Sequence, residues 1–261
     1  MKIVMRSILA IVILVVGYGL YYAWQALPII SAFGAKDLCT CVFLNGREAD
    51  DVLKQELGAG LQSLGSFELD SNDSTVTGTV FGLAKRKAIY RKGLGCTLVS
   101  EISEEELRSQ KINLHTMVPV NQDTIPWPMG NVLKTTIDTG VYVTVLKEAL
   151  DFAFTETDSA RPVNTRAVVV VYDGQIIAER YAKGYDEYSR HMGWSMTKSI
   201  TNAITGILTK DGRMKVYDPA PIPQWQNDDR KKITLHNLLQ ASSGLAWEEF
   251  YAGPSPATKM I

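Results

Sequence analysis

Histidine and cysteine are both scarce in this chain of 261 residues, with three of each. His115, His191 and His236 leave little material for a zinc site, which is assembled from His, Cys and carboxylate ligands. Three cysteines are too few for a disulfide scaffold. Charge of one sign is missing as well: 27 basic against 28 acidic residues leave a formal net charge of −1. No global field is therefore available for nucleic acid or an anionic surface, and any such contact needs a local patch. Repeats and low-complexity stretches are absent. With 46% apolar and 21% charged residues, the composition is that of a globular chain, which excludes collagen, coiled coil and wholesale disorder. The chemistry left open is that of serine, lysine, tyrosine and carboxylates, with no cofactor implied and no nucleic-acid partner.

Acidic and basic residues are also missing from Ser7 to Ala35, a stretch preceded by Lys2 and Arg6. Ser7 to Leu27 supplies 21 residues, and at about 1.5 Å per helical residue this spans the roughly 30 Å hydrocarbon layer. A cleaved signal peptide is the alternative, with Ala32-Phe33-Gly34 as a tolerable cleavage site. Tyr18, Tyr21, Tyr22 and Trp24 favour a retained anchor, because aromatic side chains settle at the headgroup level. Residues 1–35 are thus read as a membrane anchor or signal segment. The positive amino-terminal flank places that end in the cytoplasm and the remainder in the periplasm or outside the cell. Disulfides are permitted there. Either Cys39 or Cys41 is placed to bridge to Cys96, leaving one thiol over, unless all three stay unpaired; Lys36 and Asp37 argue against a lipid-modified cysteine.

Residues 36–130 read as a small α+β lead-in. Val52, Leu53, Leu57, Leu61 and Leu64 recur at three- and four-residue intervals, which predicts an amphipathic helix over 46–65. Thr75–Phe81 and Ala88–Arg91 read as short strands separated by a basic turn, Lys85-Arg86-Lys87, and Glu104-Glu105-Glu106 as a solvated helix start. The Pro-rich stretch from Pro119 to Pro128 reads as a linker, with a domain boundary near residue 130. Beyond it, a helix is expected from Val143 to Phe154. A hairpin follows, Ala167–Tyr172 and Gln175–Tyr181 around Asp173-Gly174, a pair that favours the mirror-image turn matching strand twist. The first of these strands is apolar on both faces, as in a covered sheet. A second helix is expected from about Met196 to Lys210, ended by Asp211-Gly212.

That second helix carries the chemistry. His191-Met-Gly-Trp-Ser195-Met-Thr-Lys198 places a serine in the first turn and a lysine three residues on, so both side chains share one face. A serine hydroxyl becomes a nucleophile when a base takes its proton, and a lysine amine can be that base if its own proton is made unfavourable. From an ordinary lysine pKa of about 10.4, a neutral amine at pH 7 costs roughly 4 to 5 kcal/mol, which burial near positive charge must supply. The helix amino terminus adds partial positive charge, and the Ser195 N–H is a candidate oxyanion donor. By itself Ser-x-x-Lys is a weak signal that reads more simply as a capping serine with a solvated lysine.

The context narrows this. Asp211-Gly212 is followed by Tyr217-Asp218-Pro219 and then by Thr234-Leu-His236-Asn-Leu-Leu-Gln-Ala-Ser242-Ser243-Gly244-Leu245. Over about residues 140 to 250 this resembles the serine β-lactamase and penicillin-binding superfamily, in its class C-like branch with esterases and 6-aminohexanoate-dimer hydrolases. The resemblance implies an α/β (α+β) fold, a β-lactamase- or transpeptidase-like domain with an antiparallel sheet in residues 131–261. It also implies Ser195 as nucleophile and Lys198 as base, acting through an acyl-enzyme on a small-molecule or peptide amide, ester or lactam. The Ser195 helix is expected to bury Ile200, Ala203, Ile204 and Ile207 against the sheet.

Family members complete the site with a later tyrosine motif and a Lys- or His-Thr-Gly strand. Here Tyr217 and Tyr251 come too early, no such triplet follows, and the chain is expected to be cut short at Ile261 and impaired as a catalyst. Two rivals remain. Gly193-Trp-Ser195-Met-Thr197 is nearly a Gly-x-Ser-x-Gly elbow, and Asp228 or Asp229 with His236 keeps the order of an α/β-hydrolase triad. A non-catalytic, membrane-tethered protein that binds cell-wall peptide or a partner is the other class.

Overall fold

The computed structural model describes residues 2–111, 121–134, 140–251, 253–258 and 260. His115 and the Pro119 end of the expected linker lie outside the described residues. The fold mixes helices with antiparallel sheet and divides into two compact units, Ile30–Arg190 and Met1–Ile29 with His191–Ile261.

One helix, α1 (Lys2–Cys39), runs through Pro28 and continues as a π-helical turn, Thr40–Leu44. It is long and apolar enough to cross a membrane by length and composition. From Ile3 to Tyr22 every residue is exposed, whereas Ile30, Ser31, Ala32, Ala35, Leu38 and Cys39 are buried. The helix is therefore longer than the expected span, and its last turns belong to a protein core.

In the unit Ile30–Arg190 that core lies on a four-stranded antiparallel meander of β1 (Gly65–Asp70), β2 (Thr75–Val80), β3 (Leu83–Arg91) and β4 (Gly95–Val99). Val76, Val80, Ala88 and Ile89 are fully buried with Leu38, Cys39 and Val52. Cys39 is disulfide-bonded to Cys96, and Cys41 is a buried free thiol, which is the pairing of one proximal cysteine with Cys96 that the sequence allowed. Close approach is decided by glycine: a Cβ on Gly34 would collide with the Phe67 ring.

Three local expectations change. The helix expected over 46–65 is only α2 (Ala49–Gln55), because the chain breaks at Gly58 and Gly60, the latter at φ +62°, and resumes as a 3₁₀ turn at Gly60–Leu64. The basic triplet Lys85-Arg86-Lys87 is inside β3; the turn is Phe81-Gly82, both at positive φ. Residues 121–134 fold back on themselves through Trp127 N–H donating to Val132 O at 2.9 Å and Val132 N–H to Ile125 O at 3.0 Å, rather than running out as an extended linker. The Glu run does start a helix, α3 (Glu104–Ser109), capped by Ser103 and held to β3 by Lys87 Nζ on Glu104 at 2.8 Å. Further on, α4 (Val143–Ala153) and the hairpin of β5 (Ala167–Tyr172) and β6 (Gln175–Tyr181) stand where the sequence puts them. Asp173 and Gly174 at φ +44° and +68° make the mirror-image turn. The hairpin is a sheet of two strands, and Val169 and Val171 are about half exposed, so β5 is not covered on both faces.

The other unit contains α5 (Met196–Lys210), closed by Gly212 at φ +69°, and α6 (Leu235–Leu239), which opens with a capping box between Thr234 and Asn237. α5 starts at the expected place but does not bury the expected face. Ile200, Ala203, Ile204 and Ile207 are all exposed, and the buried member is Thr205. Thr201, Thr205 and Thr209 each donate a hydroxyl to the carbonyl four residues back, at 2.8–2.9 Å. The Thr205 hydroxyl is thus satisfied within the helix, so its burial carries no unpaired polar group.

Candidate active site

The approach to α5 is a tight turn. Met196 N–H donates to Gly193 O, Thr197 N–H to Trp194 O and Lys198 N–H to Ser195 O, at 2.9, 3.1 and 3.0 Å. Trp194 takes up the bend at φ +41°, the left-handed region that a bulky residue enters only under constraint from its surroundings. No sequence signal marks Trp194; its conformation is set by the turn it closes.

Ser195 occupies the N-cap position of α5, yet its side chain makes no capping hydrogen bond. Its Oγ instead accepts a hydrogen bond from Lys198 Nζ at 3.0 Å. Ser195 is therefore not a capping serine, and the structure brings the two side chains together as their spacing requires. Both are exposed. Among the described residues nothing encloses them from water.

The other candidates are placed elsewhere. Asp228 accepts both Nε and Nη2 of Arg230, the latter at 2.6 Å, and Asp229 accepts Lys232 Nζ at 2.9 Å, all within the 3₁₀ turn Asp229–Lys232 and its cap. These bonds hold the Asp228 carboxyl down to about 2, chiefly through the Arg230 side chain. His236 lies in α6 with its ring 4.7 Å from that of Tyr217, a packing role. Among the described residues no hydrogen bond joins either aspartate to His236, and an antiparallel hairpin precedes the serine, so the triad of an α/β-hydrolase is not assembled. Among the described residues no cluster of three or more His, Cys, Asp or Glu side chains is arranged to hold a metal ion.

A second polar cluster was not anticipated. Arg47 Nη1 donates to Glu56 Oε1 at 2.7 Å, Arg166 Nη2 donates to the same oxygen, and Arg47 Nη2 reaches Gln55 at 3.0 Å. Burial alone would raise the Glu56 carboxyl, but the hydrogen bonds from Arg47 and Arg166 hold it below the usual carboxylate range. Arg166 lies 110 residues from Glu56, which left no local pattern to read.

No curated protein and no solved structure matches the chain. Residues 153–259, the stretch that holds the hairpin, α5 and α6, match the family model described as Beta-lactamase, which supports the serine β-lactamase and penicillin-binding superfamily for this stretch and, at that level, a serine hydrolase-like function.

Proposed function

We propose that Ser195 and Lys198 are the nucleophile and general base of a serine hydrolase that works through an acyl-enzyme on an amide, ester or lactam, in the class C-like branch of the superfamily. The observation that carries this reading is the Lys198 Nζ to Ser195 Oγ contact of 3.0 Å at the start of a helix whose serine does not cap it. In the reactive state the direction of that bond reverses. A neutral Lys198 amine accepts the hydroxyl proton as Oγ attacks the carbonyl carbon, and the developing oxyanion takes the Ser195 N–H. Lys198 then gives the proton to the leaving group, and water releases the acyl group with the roles repeated.

The membrane helix keeps this site at a membrane, with its amino-terminal end in the cytoplasm and the remainder in the periplasm or outside the cell. The Cys39–Cys96 disulfide supports that side, since disulfides persist in oxidising compartments. A second reading is favoured by the exposure of both Ser195 and Lys198: a membrane-tethered protein that binds cell-wall peptide or a partner without turnover. A fluorophosphonate or penicillin probe separates the two. Covalent labelling of the full chain that disappears in Ser195→Ala establishes the nucleophile. Equal labelling of both chains removes Ser195 from that role, and absence of labelling in both leaves the binding protein as the surviving reading.

A further inference from the structure

The two ends of the four-stranded sheet differ in kind. At one end the β1–β2 turn reads Asp70-Ser71-Asn72-Asp73-Ser74, all polar. At the other, Phe81 and Leu83 flank the β2–β3 turn at 72% and 64% exposure. Gly65 pairs with Val80 across β1 and β2, which brings Leu61 and Leu64, both exposed, to this same end. Lys85, exposed, and Arg86, half-buried, lie just behind the turn on β3.

The direction of α1 across the sheet is fixed by three contacts. Ser31 Oγ donates to Ala84 O at 2.5 Å, Gly34 abuts Phe67, whose partner on β2 is Gly78, and Cys39 is bonded to Cys96, whose partner on β3 is Tyr90. Rising residue number along α1 therefore moves away from the Phe81-Gly82 turn, and falling residue number moves towards it. Ser31 stands four residues beyond Leu27, about 6 Å along a helix at 1.5 Å per residue. The headgroup layer on each side of the hydrocarbon is roughly 5–8 Å deep, and the turn projects two to three residues past Ala84 at about 3.3 Å each. The apolar turn thus lies at the end of the sheet where the chain enters this unit, three residues after Leu27.

We propose that this end of the sheet is a second membrane contact, in which Phe81, Leu83, Leu61 and Leu64 enter the interface of the bilayer that α1 spans. Lys85 and Arg86 meet the phosphates of anionic lipids. The chain has no net positive charge to draw it to a membrane, but this is the kind of local patch that serves, since each basic residue near an anionic surface adds to the attraction. The contact fixes the sheet against the membrane at two points instead of leaving it free to swing on one helix.

The proposal rests on α1 being a membrane span, and the test separates the two. The full chain, in vesicles of phosphatidylethanolamine and phosphatidylglycerol, carries an environment-sensitive fluorophore at Leu14→Cys, Phe81→Cys or Asn72→Cys. Cys41 is buried and the other cysteines are paired, so the introduced thiol is the reactive one. Quenching by deep nitroxide lipids at position 14 and by shallow ones at position 81, with a blue-shifted emission at 81 and neither effect at 72, bears the proposal out. Quenching at 14 with position 81 behaving like 72 overturns it and leaves the span standing. No quenching at 14 removes the span and the second contact together. The unmodified chain gives an independent reading: lipids with a photoreactive group near the headgroup crosslink to the peptide holding residues 81–86, or, if the proposal is wrong, only to α1.

Discussion

Two apolar surfaces of similar make-up meet different ends in this molecule. In the unit Ile30–Arg190, Val76, Val80, Ala88 and Ile89 are fully buried. On α5, Ile200, Ile204 and Ile207 remain more than half exposed. The α5 set has the helical period of about 3.6, whereas β3 buries the neighbours Ala88 and Ile89 together. Periodicity decides that an element forms and which side is apolar; whether that side is covered depends on residues distant in the chain. The sheet is held by Cys39–Cys96, by Ser31 on Ala84 and by Lys87 on Glu104, all long-range ties. The side-chain bonds of α5 and of the 3₁₀ turn at Asp229–Lys232 join residues two to four apart, and the longer ties of this unit are single backbone bonds such as Ala220 N–H to Ile233 O and His236 N–H to Val216 O.

If that comparison is right, the largest loss of stability comes from cutting a long-range tie. The disulfide closes 57 residues, and a loop of that length is worth about 4 kcal/mol in the chain-entropy account. Paired Cys39→Ala and Cys96→Ala replacement therefore lowers the midpoint of denaturant unfolding of the sheet steeply, and an unchanged midpoint breaks the argument. Next in size is the isoleucine pair. Ile89→Ala removes a fully buried side chain and costs about 2–5 kcal/mol. Ile204→Ala, at an exposed position, stays within about 0.5 kcal/mol. Similar losses at the two sites mean that α5 is covered in solution by something the described residues do not include.

The same division explains what the sequence could and could not say. β5, β6, α4 and α5 were legible to within a residue or two, because a turn pair such as Asp173-Gly174 or a stop such as Asp211-Gly212 acts over a few residues. Ser195 and Lys198 were legible for the same reason: three residues apart at a helix start, they meet without help from elsewhere. β1 was hidden because the leucine spacing over 46–65 outweighs the weak alternation of Phe67 and Leu69. Lys85-Arg86-Lys87 reads as a turn until Gly82 is seen to supply the bend. The outward-facing isoleucines of α5 were not legible at all, since nothing in a helix's own pattern says whether a partner covers it. The Glu56 cluster failed on distance alone, with Arg166 lying 110 residues away.

Glu56 supplies the finest division between the two regions, because a long-range and a local ion pair can be compared directly. Glu56 is held by Arg47 and Arg166 with 27% of its side chain exposed, while Asp228 is held by Arg230 two residues on with 44% exposed. Both carboxyls are pushed below their usual range. A carboxyl lowered in the folded state contributes stability that is complete above its unfolded pKa and is lost as pH falls through the folded one. Glu56→Gln is therefore expected to lower stability by about 1–2 kcal/mol at neutral pH, the worth of charge-assisted hydrogen bonds between partly buried groups. The gap between variant and parent narrows as pH falls below the ordinary glutamate range and through the lowered value that Glu56 has in the folded chain. Measuring the difference between the two chains cancels the titration of the carboxyls they share. Asp228→Asn, in an exposed pair of neighbours, leaves the unfolding midpoint where it was at every pH, because such a pair persists in the unfolded chain nearly as well as in the folded one. Equal sensitivity at positions 56 and 228 would show that the distance between partners along the chain has no bearing on what their pairing contributes.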